Sequence, residues 1–331
     1  MSNKTEKLKL SKWLDKNIPA YFPNKGMLIE IIENIAEATI PIRGLLERGI
    51  TSREISHRMN IKKPINNSIN LYDEEQIHED VLTHGIIIQA LNERDVKYSF
   101  VASEEAEPIL SDGTFGITID PVDGSSNVAV NRTVGTIVGI YNQQGNIVCA
   151  FYALYGIFTN LVIAINGIVA EFILDTSPYS MTFYHYVFQE IKQMPNKIGK
   201  GGIRCLGGDP NMWSAKCKNY ENKLIEHKLK DRYSGSFVGD FHAILKFGGL
   251  YGYFPSPKPK IRLYYEWFPL AFIVKTLGGN FVAIGDDKDA DKIILMEEIE
   301  PLQRKNVKEI HTKVCGGILG SEKIIDLFLT Q

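Results

Sequence analysis

The segment Asp120-Pro121-Val122-Asp123-Gly124-Ser125-Ser126-Asn127 constrains this chain more than any other. It follows an alternating run, Phe115, Ile117, Ile119, that predicts a strand over 114–120. Proline has no N–H to give a ladder, so the chain is expected to leave the sheet at Asp120-Pro121. Asp120 and Asp123 then fall on one tight turn, with Gly124 free to take a backbone geometry that side chains resist. Two carboxylates that close repel unless a cation neutralises them, and hard divalent cations prefer oxygen. The small residues that follow offer backbone N–H groups and hydroxyls to an anion. A surface Asp-Gly turn is the bland alternative. Six fixed positions at about one in fifteen each make coincidence roughly one in ten million per window.

A second acidic group, Glu104-Glu105, lies one strand upstream, after Phe100-Val101-Ala102. Alone it reads as a solvated charge run. Beside the motif it fits a site for two or three magnesium ions, each of which takes about six oxygens from several segments. The nearby histidines are His78 and His84, so a nitrogen and sulfur zinc site is disfavoured.

The 331 residues are 44% hydrophobic and 23% charged, enough for one large core or two fused halves. A net charge of -2 gives no general pull towards nucleic acid or an anionic membrane. The polar start reads as no signal peptide, and the apolar stretch 147–165 is broken by polar residues and reads as strands. Cys149, Cys205, Cys217 and Cys315 are scattered without CxxC spacing, which points to reduced thiols and a cytoplasmic protein.

Helices are expected over 26–49, with Pro41 kinking it and Gly49 stopping it, and over 74–92, with Ile77, Val81, Leu82, Ile86, Ile88 and Leu91 as its apolar stripe. Strands follow at 134–141, 146–154, 160–166 and 168–174. The polar stretch 175–203 suggests a boundary between an N-terminal half, 1–195, and a C-terminal half, 196–331. In that second half helices are expected at 236–246, 267–277 and 321–329, with a strand at 250–254.

Six motifs in order carry a resemblance: SEE (103–105), DPVDGSSN (120–127), TVGTIVGIY (133–141), ALYG (153–156), RYSGS (232–236) and KIRLYYE (260–266). On them the chain resembles the class I fructose-1,6-bisphosphatase and sedoheptulose-1,7-bisphosphatase family. The resemblance implies a mixed α/β fold, a layered α-β-α-β-α sandwich of sheets covered by helices. It implies hydrolysis of a sugar-bisphosphate 1-phosphate with two or three Mg²⁺ ions, Mn²⁺ being the alternative, in a homodimer or homotetramer. By position, Glu104, Asp120, the Val122 carbonyl, Asp123 and Glu266 are the implied metal ligands. Glu105 is the implied activator of water, and Asp80 an active-site aspartate on the preceding helix. Gly124, Ser125 and Ser126 match the holders of the phosphate to be removed, beside Asp123. Arg232, lent by a neighbouring subunit, Tyr233, Tyr253 and Lys260 match the second phosphate's site, and Arg262 an arginine facing the acids.

Three departures stand out. Helix residues 80–85 read Asp-Val-Leu-Thr-His-Gly, so the family's second acidic group is replaced by Gly85, or by His84 in the register of the sedoheptulose branch. Leu206-Gly207-Gly208 stands where the family has a sugar-phosphate asparagine, with Asn211 as the nearby substitute. The threonines and the Lys-Tyr pair of AMP-binding relatives are missing, the latter at 114–115, so AMP inhibition is expected to be weak or absent. The rival readings are a sedoheptulose bisphosphatase, an inositol-monophosphatase-like enzyme, and a non-catalytic sugar-phosphate sensor.

Overall fold

The computed structural model describes residues 8–58, 78–176, 185–189, 195, 201–255, 260–285 and 292–330. Three helices, α1 (Leu10–Asn17), α2 (Lys25–Arg58) and α3 (His78–Glu93), precede a run of strands. These are β1 (Phe100–Ser103), β2 (Ala106–Leu110), β3 (Gly116–Asp123), β4 (Val134–Tyr141), β5 (Ile147–Tyr155), β6 (Thr159–Ile165), β7 (Ile168–Asp175) and β8 (His185–Gln189). The chain continues through β9 (Ile203–Gly207), α4 (Ala215–Glu226), β10 (Lys230–Asp231), α5 (Phe237–Phe247) and β11 (Gly249–Tyr253). It ends with α6 (Phe268–Thr276), β12 (Asn280–Ile284), β13 (Ile293–Leu295), β14 (Gly316–Gly320) and α7 (Glu322–Leu329).

The first eight strands form one sheet in the order β2-β1-β3-β4-β5-β6-β7-β8, and the other six a second in the order β10-β9-β11-β14-β12-β13. Alternation along the strands explains the layers. In β5, Cys149, Phe151, Ala153 and Tyr155 join a core with α1, α2 and α3, while Ala150, Tyr152 and Leu154 join a second core with α5, α6 and the second sheet. A third core lies under α4 and α7, on the far side of the second sheet. The result is helix, sheet, helix, sheet, helix, as expected. With both faces covered, central strands need apolar residues throughout, which is why 134–165 reads as nearly continuous. Each large apolar side chain withdrawn there contributes about 1.5–3 kcal/mol.

Three local expectations need correcting. Gly49 does not stop α2, which runs on to Arg58 with Pro41 inside it. Glycine weakens a helix by only about 1 kcal/mol, too little to end one already anchored in the core from Leu28 to Leu46. Helix α3 begins at His78, residues 74–77 lying outside the described residues, and its expected stripe is partly turned out. Val81 and Leu82 are exposed, while Glu79, Asp80, Thr83, Ile87 and Leu91 are buried.

The third correction matters most. Strand β3 does not end at Asp120 but runs through Pro121 to Asp123. Asp120 pairs with Ile137 and Asp123 with Gly135, so Pro121 and Val122 together oppose Thr136 alone. That is a β-bulge, where a missing N–H is tolerated. Thr136 Oγ1 donates to the Pro121 carbonyl at 2.8 Å and closes it. Residues three apart on a regular strand face opposite ways; the extra residue brings Asp120 and Asp123 to one face.

A polar seam ties α5 to the first sheet. Lys246 pairs with Glu171 of β7, whose other oxygen accepts from Asn160 Nδ2 at 2.6 Å. Tyr152 OH and His242 Nδ1 share a hydrogen bond of 2.8 Å beside them. The Glu171 side chain is 2% exposed and that of Lys246 37%. Lys246→Met leaves a buried carboxylate without its cation, and is expected to lower stability by about 1–3 kcal/mol, read from the urea midpoint.

Candidate active site

The acids of the two sequence segments meet because β1 and β3 run parallel and end at the same edge. The pairing continues one step past β1, where Glu104 N donates to Ile119 O at 3.1 Å. Glu105 N turns back to Ser103 Oγ at 3.3 Å. Glu266 arrives from the other half of the chain, on one wide π-helical turn, Leu263–Trp267, that leads into α6. The N–H groups of Glu266 and Trp267 both reach Arg262 O at 3.2 Å, and Arg262 N donates to Glu266 Oε2 at 2.6 Å. The helix therefore starts earlier than 267, and Glu266 is locked onto its own turn.

Oxygens of Glu104, Asp120 and Glu266 lie within 4.8 Å of one another. Asp120 and Glu266 are buried, and their carboxyls are held well above the ordinary range. Burial is the first cause for both. For Asp120 the charges of Glu104, Glu266, Asp123 and Glu105 add to it; for Glu266, those of Glu104 and Asp123. Arg262 supplies partial relief: its Nε donates to Glu104 Oε1 at 3.3 Å, while Nη1 is held by His311 O at 2.8 Å. Tyr265 OH lies 2.9 Å from His311 Nδ1 and braces that carbonyl's residue. The donor set is all oxygen, with Asp120 and Glu266 buried and Glu104 half-buried. It fits a hard divalent cation and does not fit a thiolate-selecting metal. Val122 is buried, and its N–H donates to Asp120 Oδ1 at 3.1 Å.

Asp123 has a different tie. Its Oδ2 accepts from Ser236 Oγ and from Val238 N, each at 2.8 Å, so it sits at the N-terminus of α5. Burial pushes its pKa up to about 6, against the pull of these hydrogen bonds. Gly124 is left-handed at φ 76°, and a Cβ there would lie 2.7 Å from Ser236 Cβ. Only glycine lets the motif and α5 approach this closely. Ser125 and Ser126 open a 3₁₀ turn, Ser125–Val130, half-buried and exposed respectively. Asn127 Nδ2 donates to Thr133 O and Ser234 O, both at 3.3 Å.

Arg232 is exposed, with its guanidinium 5.8 Å from the Phe247 ring centroid, and Lys260 is exposed two residues before Arg262. Tyr233 and Tyr253 converge on Gly207: a Cβ there would lie 2.7 Å from the Tyr253 ring and 2.8 Å from that of Tyr233. The missing side chain at 207 is thus where two aromatic rings close in. Asn211 is exposed, and its backbone and side-chain amides both donate to Asp209 Oδ1 at 2.9 Å. Among the described residues, neither Asn211 nor Lys260 hydrogen-bonds to this group. Asp80 is buried in the first turn of α3, beside Glu79. Gly85 is exposed, and a Cβ there would meet no atom within 4 Å. Sequence reasoning missed Ser236, Asn127 and His311 as struts. Ser236 alone had a readable signal, a serine capping an apolar helical run.

The family model described as Fructose-1-6-bisphosphatase, N-terminal domain, matches residues 63–185, and its C-terminal counterpart residues 201–323. A class 1 fructose-1,6-bisphosphatase of Haloarcula marismortui is 30% identical over 269 residues, covering 78% of this chain and 84% of that protein. One of Methanocorpusculum labreanum is 37% identical over 225 residues, covering 64% and 67%. The crystal structure of Leishmania major fructose-1,6-bisphosphatase in holo form shares the fold, with a TM-score of 0.76 over 98% of both chains at 23% identity. Fold and sequence agree: the chain is a phosphatase hydrolase that belongs to the fructose-1,6-bisphosphatase family.

Proposed function

We propose that the chain hydrolyses the 1-phosphate ester of fructose 1,6-bisphosphate in a Mg²⁺-dependent reaction, giving fructose 6-phosphate and phosphate. The observation that carries this is the buried, oxygen-only meeting of Glu104, Asp120 and Glu266 beside the Gly124 turn. Asp123 and the Val122 carbonyl complete the ligand set for two or three ions, Mn²⁺ being the alternative. Once bound, such ions supply Lewis-acid polarisation of the phosphate ester. Glu105, half-buried beside these acids, takes the proton of the attacking water, and Asp80 serves as a further active-site acid. Gly124, Ser125 and Ser126 hold the phosphate being removed through N–H and hydroxyl groups. Arg262 orients Glu104 through its guanidinium and Glu266 through its backbone N–H.

The distal phosphate falls to Arg232, Tyr233, Tyr253 and Lys260, whose binding energy orients the ester. Asn211 joins only if its turn with Asp209 opens. Arg232 would serve a neighbouring copy in a homodimer or homotetramer, which suits its exposure. The four free, buried cysteines suit a reducing compartment, and we read the protein as cytoplasmic and gluconeogenic. Among the described residues, no helix is long and apolar enough to cross a membrane. Sedoheptulose 1,7-bisphosphate is the second candidate substrate, because Gly207 leaves no polar side chain between the two tyrosines.

Phosphate release measured on fructose 1,6-bisphosphate, sedoheptulose 1,7-bisphosphate and inositol 1-phosphate, with and without Mg²⁺, tests the assignment. The first is expected to be turned over fastest and chelation to stop it; a preference for inositol 1-phosphate contradicts the reading. Asp123→Asn is expected to lower kcat on the order of 100-fold. Its circular dichroism should stay native, since an amide oxygen still accepts from Val238 N. AMP at micromolar concentration is expected to leave turnover intact: Thr114 Oγ1 is engaged by Asn24 Nδ2, and Phe115 is buried. Inhibition at that level would overturn this expectation.

A further inference from the structure

The segment joining β10 to α5, residues 232–236, carries Arg232 and Tyr233 at one end and reaches the acidic cluster through Ser236 at the other. Its shape is demanding. Gly235 is left-handed at φ 88°, and the segment before it is mostly exposed. Several weak ties hold it: Tyr233 N to Asp231 Oδ1 at 3.3 Å, and Ser234 O accepting from Asn127 Nδ2 at 3.3 Å. One tie is of another kind. Asp240, in the first turn of α5 and 2% exposed, takes the Ser234 N–H with both carboxylate oxygens, at 3.1 and 3.0 Å. The Ser234 side chain and Gly235 N–H also hydrogen-bond to it. A first-turn acid ordinarily serves the free N–H groups of its own helix. This one reaches past the cap to the chain before it. Charge-assisted bonds are roughly twice as strong as neutral ones, so Asp240 is the dominant restraint on the turn.

We propose that Asp240 is the positioning residue of the Arg232–Gly235 turn, so that affinity for the distal phosphate, and not the chemical step, depends on it. The proposal rests on the reading that Arg232 and Tyr233 bind that phosphate. Among the described residues, Asp240 makes no hydrogen bond to the acids at the end of β3, though the charge of Asp123 lies close enough to raise its pKa. It acts by holding the backbone from which Arg232 and Tyr233 project. An uncharged amide in its place keeps the volume but weakens the bonds to Ser234 and Gly235 and needs a partner for its own N–H groups.

Steady-state kinetics on the full-length enzyme with Mg²⁺ and fructose 1,6-bisphosphate, for D240N, R232A and D240N/R232A, separate the outcomes. D240N is expected to raise KM about tenfold with kcat within about twofold of the parent. On the R232A background it is expected to add less than about twofold, because both changes act through one interaction. Asp240→Glu, which keeps the charge, should recover most of the lost affinity. Gly235→Ala strains the same turn from the other side and is expected to raise KM, so the proposal stays testable if D240N does not fold. A raised KM in R232A with an unchanged KM in D240N overturns the proposal alone. So does a fall in kcat at constant KM, or an effect of D240N that multiplies fully onto R232A. An unchanged KM in R232A overturns the distal-phosphate reading and the proposal with it.

Discussion

Repulsion among buried carboxylates is the constraint around which the rest of this molecule is arranged. Two unit charges 4 Å apart in a protein of effective dielectric near 20 oppose each other by roughly 4 kcal/mol. Here Glu104, Asp120 and Glu266 crowd together, with Asp123 close enough to push on both Asp120 and Glu266. No flexible surface would hold such a group. Three of these acids are fixed by backbone N–H groups: Asp120 by Val122 N, Glu266 by Arg262 N, and Asp123 by Val238 N in the first turn of α5. The two packed sheets supply the rigidity.

The helix α5 shows how the two halves share this work. Its first turn faces Asp123 through Ser236 and Val238, and its own Asp240 faces back along the preceding chain. Its far end is pinned to the first sheet by Lys246 and Glu171. One helix therefore connects the acidic cluster, the exposed Arg232–Tyr233 turn and the first sheet. A change at either end of it has a short physical route to the other.

Legibility in the sequence followed burial. The strands from 134 to 175 were readable because a sheet covered on both faces must be apolar at nearly every position. The acidic motif was readable because its composition is so unlike a surface turn. The errors cluster where function reverses the usual pattern. Pro121 looked like the end of a strand, because a bulge needs a partner strand to be seen. In α3 the apolar Val81 and Leu82 turn outward while Glu79 and Asp80 turn in, so the apolar residues pointed to the wrong face. The bracing of Arg262 by His311 had no signal at all: the two are far apart in sequence, and the contact uses a backbone carbonyl. Strands β12 and β14 were missed as well, the latter because Gly316-Gly317 and Gly320 make it look like a loop.

The position of β14 bears on how the protein is made. It lies between β11 and β12 but follows both in the chain, so the middle of the second sheet is closed by a strand made after its two neighbours. Val314 pairs with Arg262 just ahead of it, and His311 grips the same arginine. Until β14 is synthesised, β11 and β12 each present an unpaired edge. The first sheet, built largely from consecutive hairpins, can form during synthesis; the brace that His311 and Val314 place on Arg262 comes later. A nascent chain halted short of β14 would carry exposed strand edges, the kind of surface that chaperones and aggregation compete for.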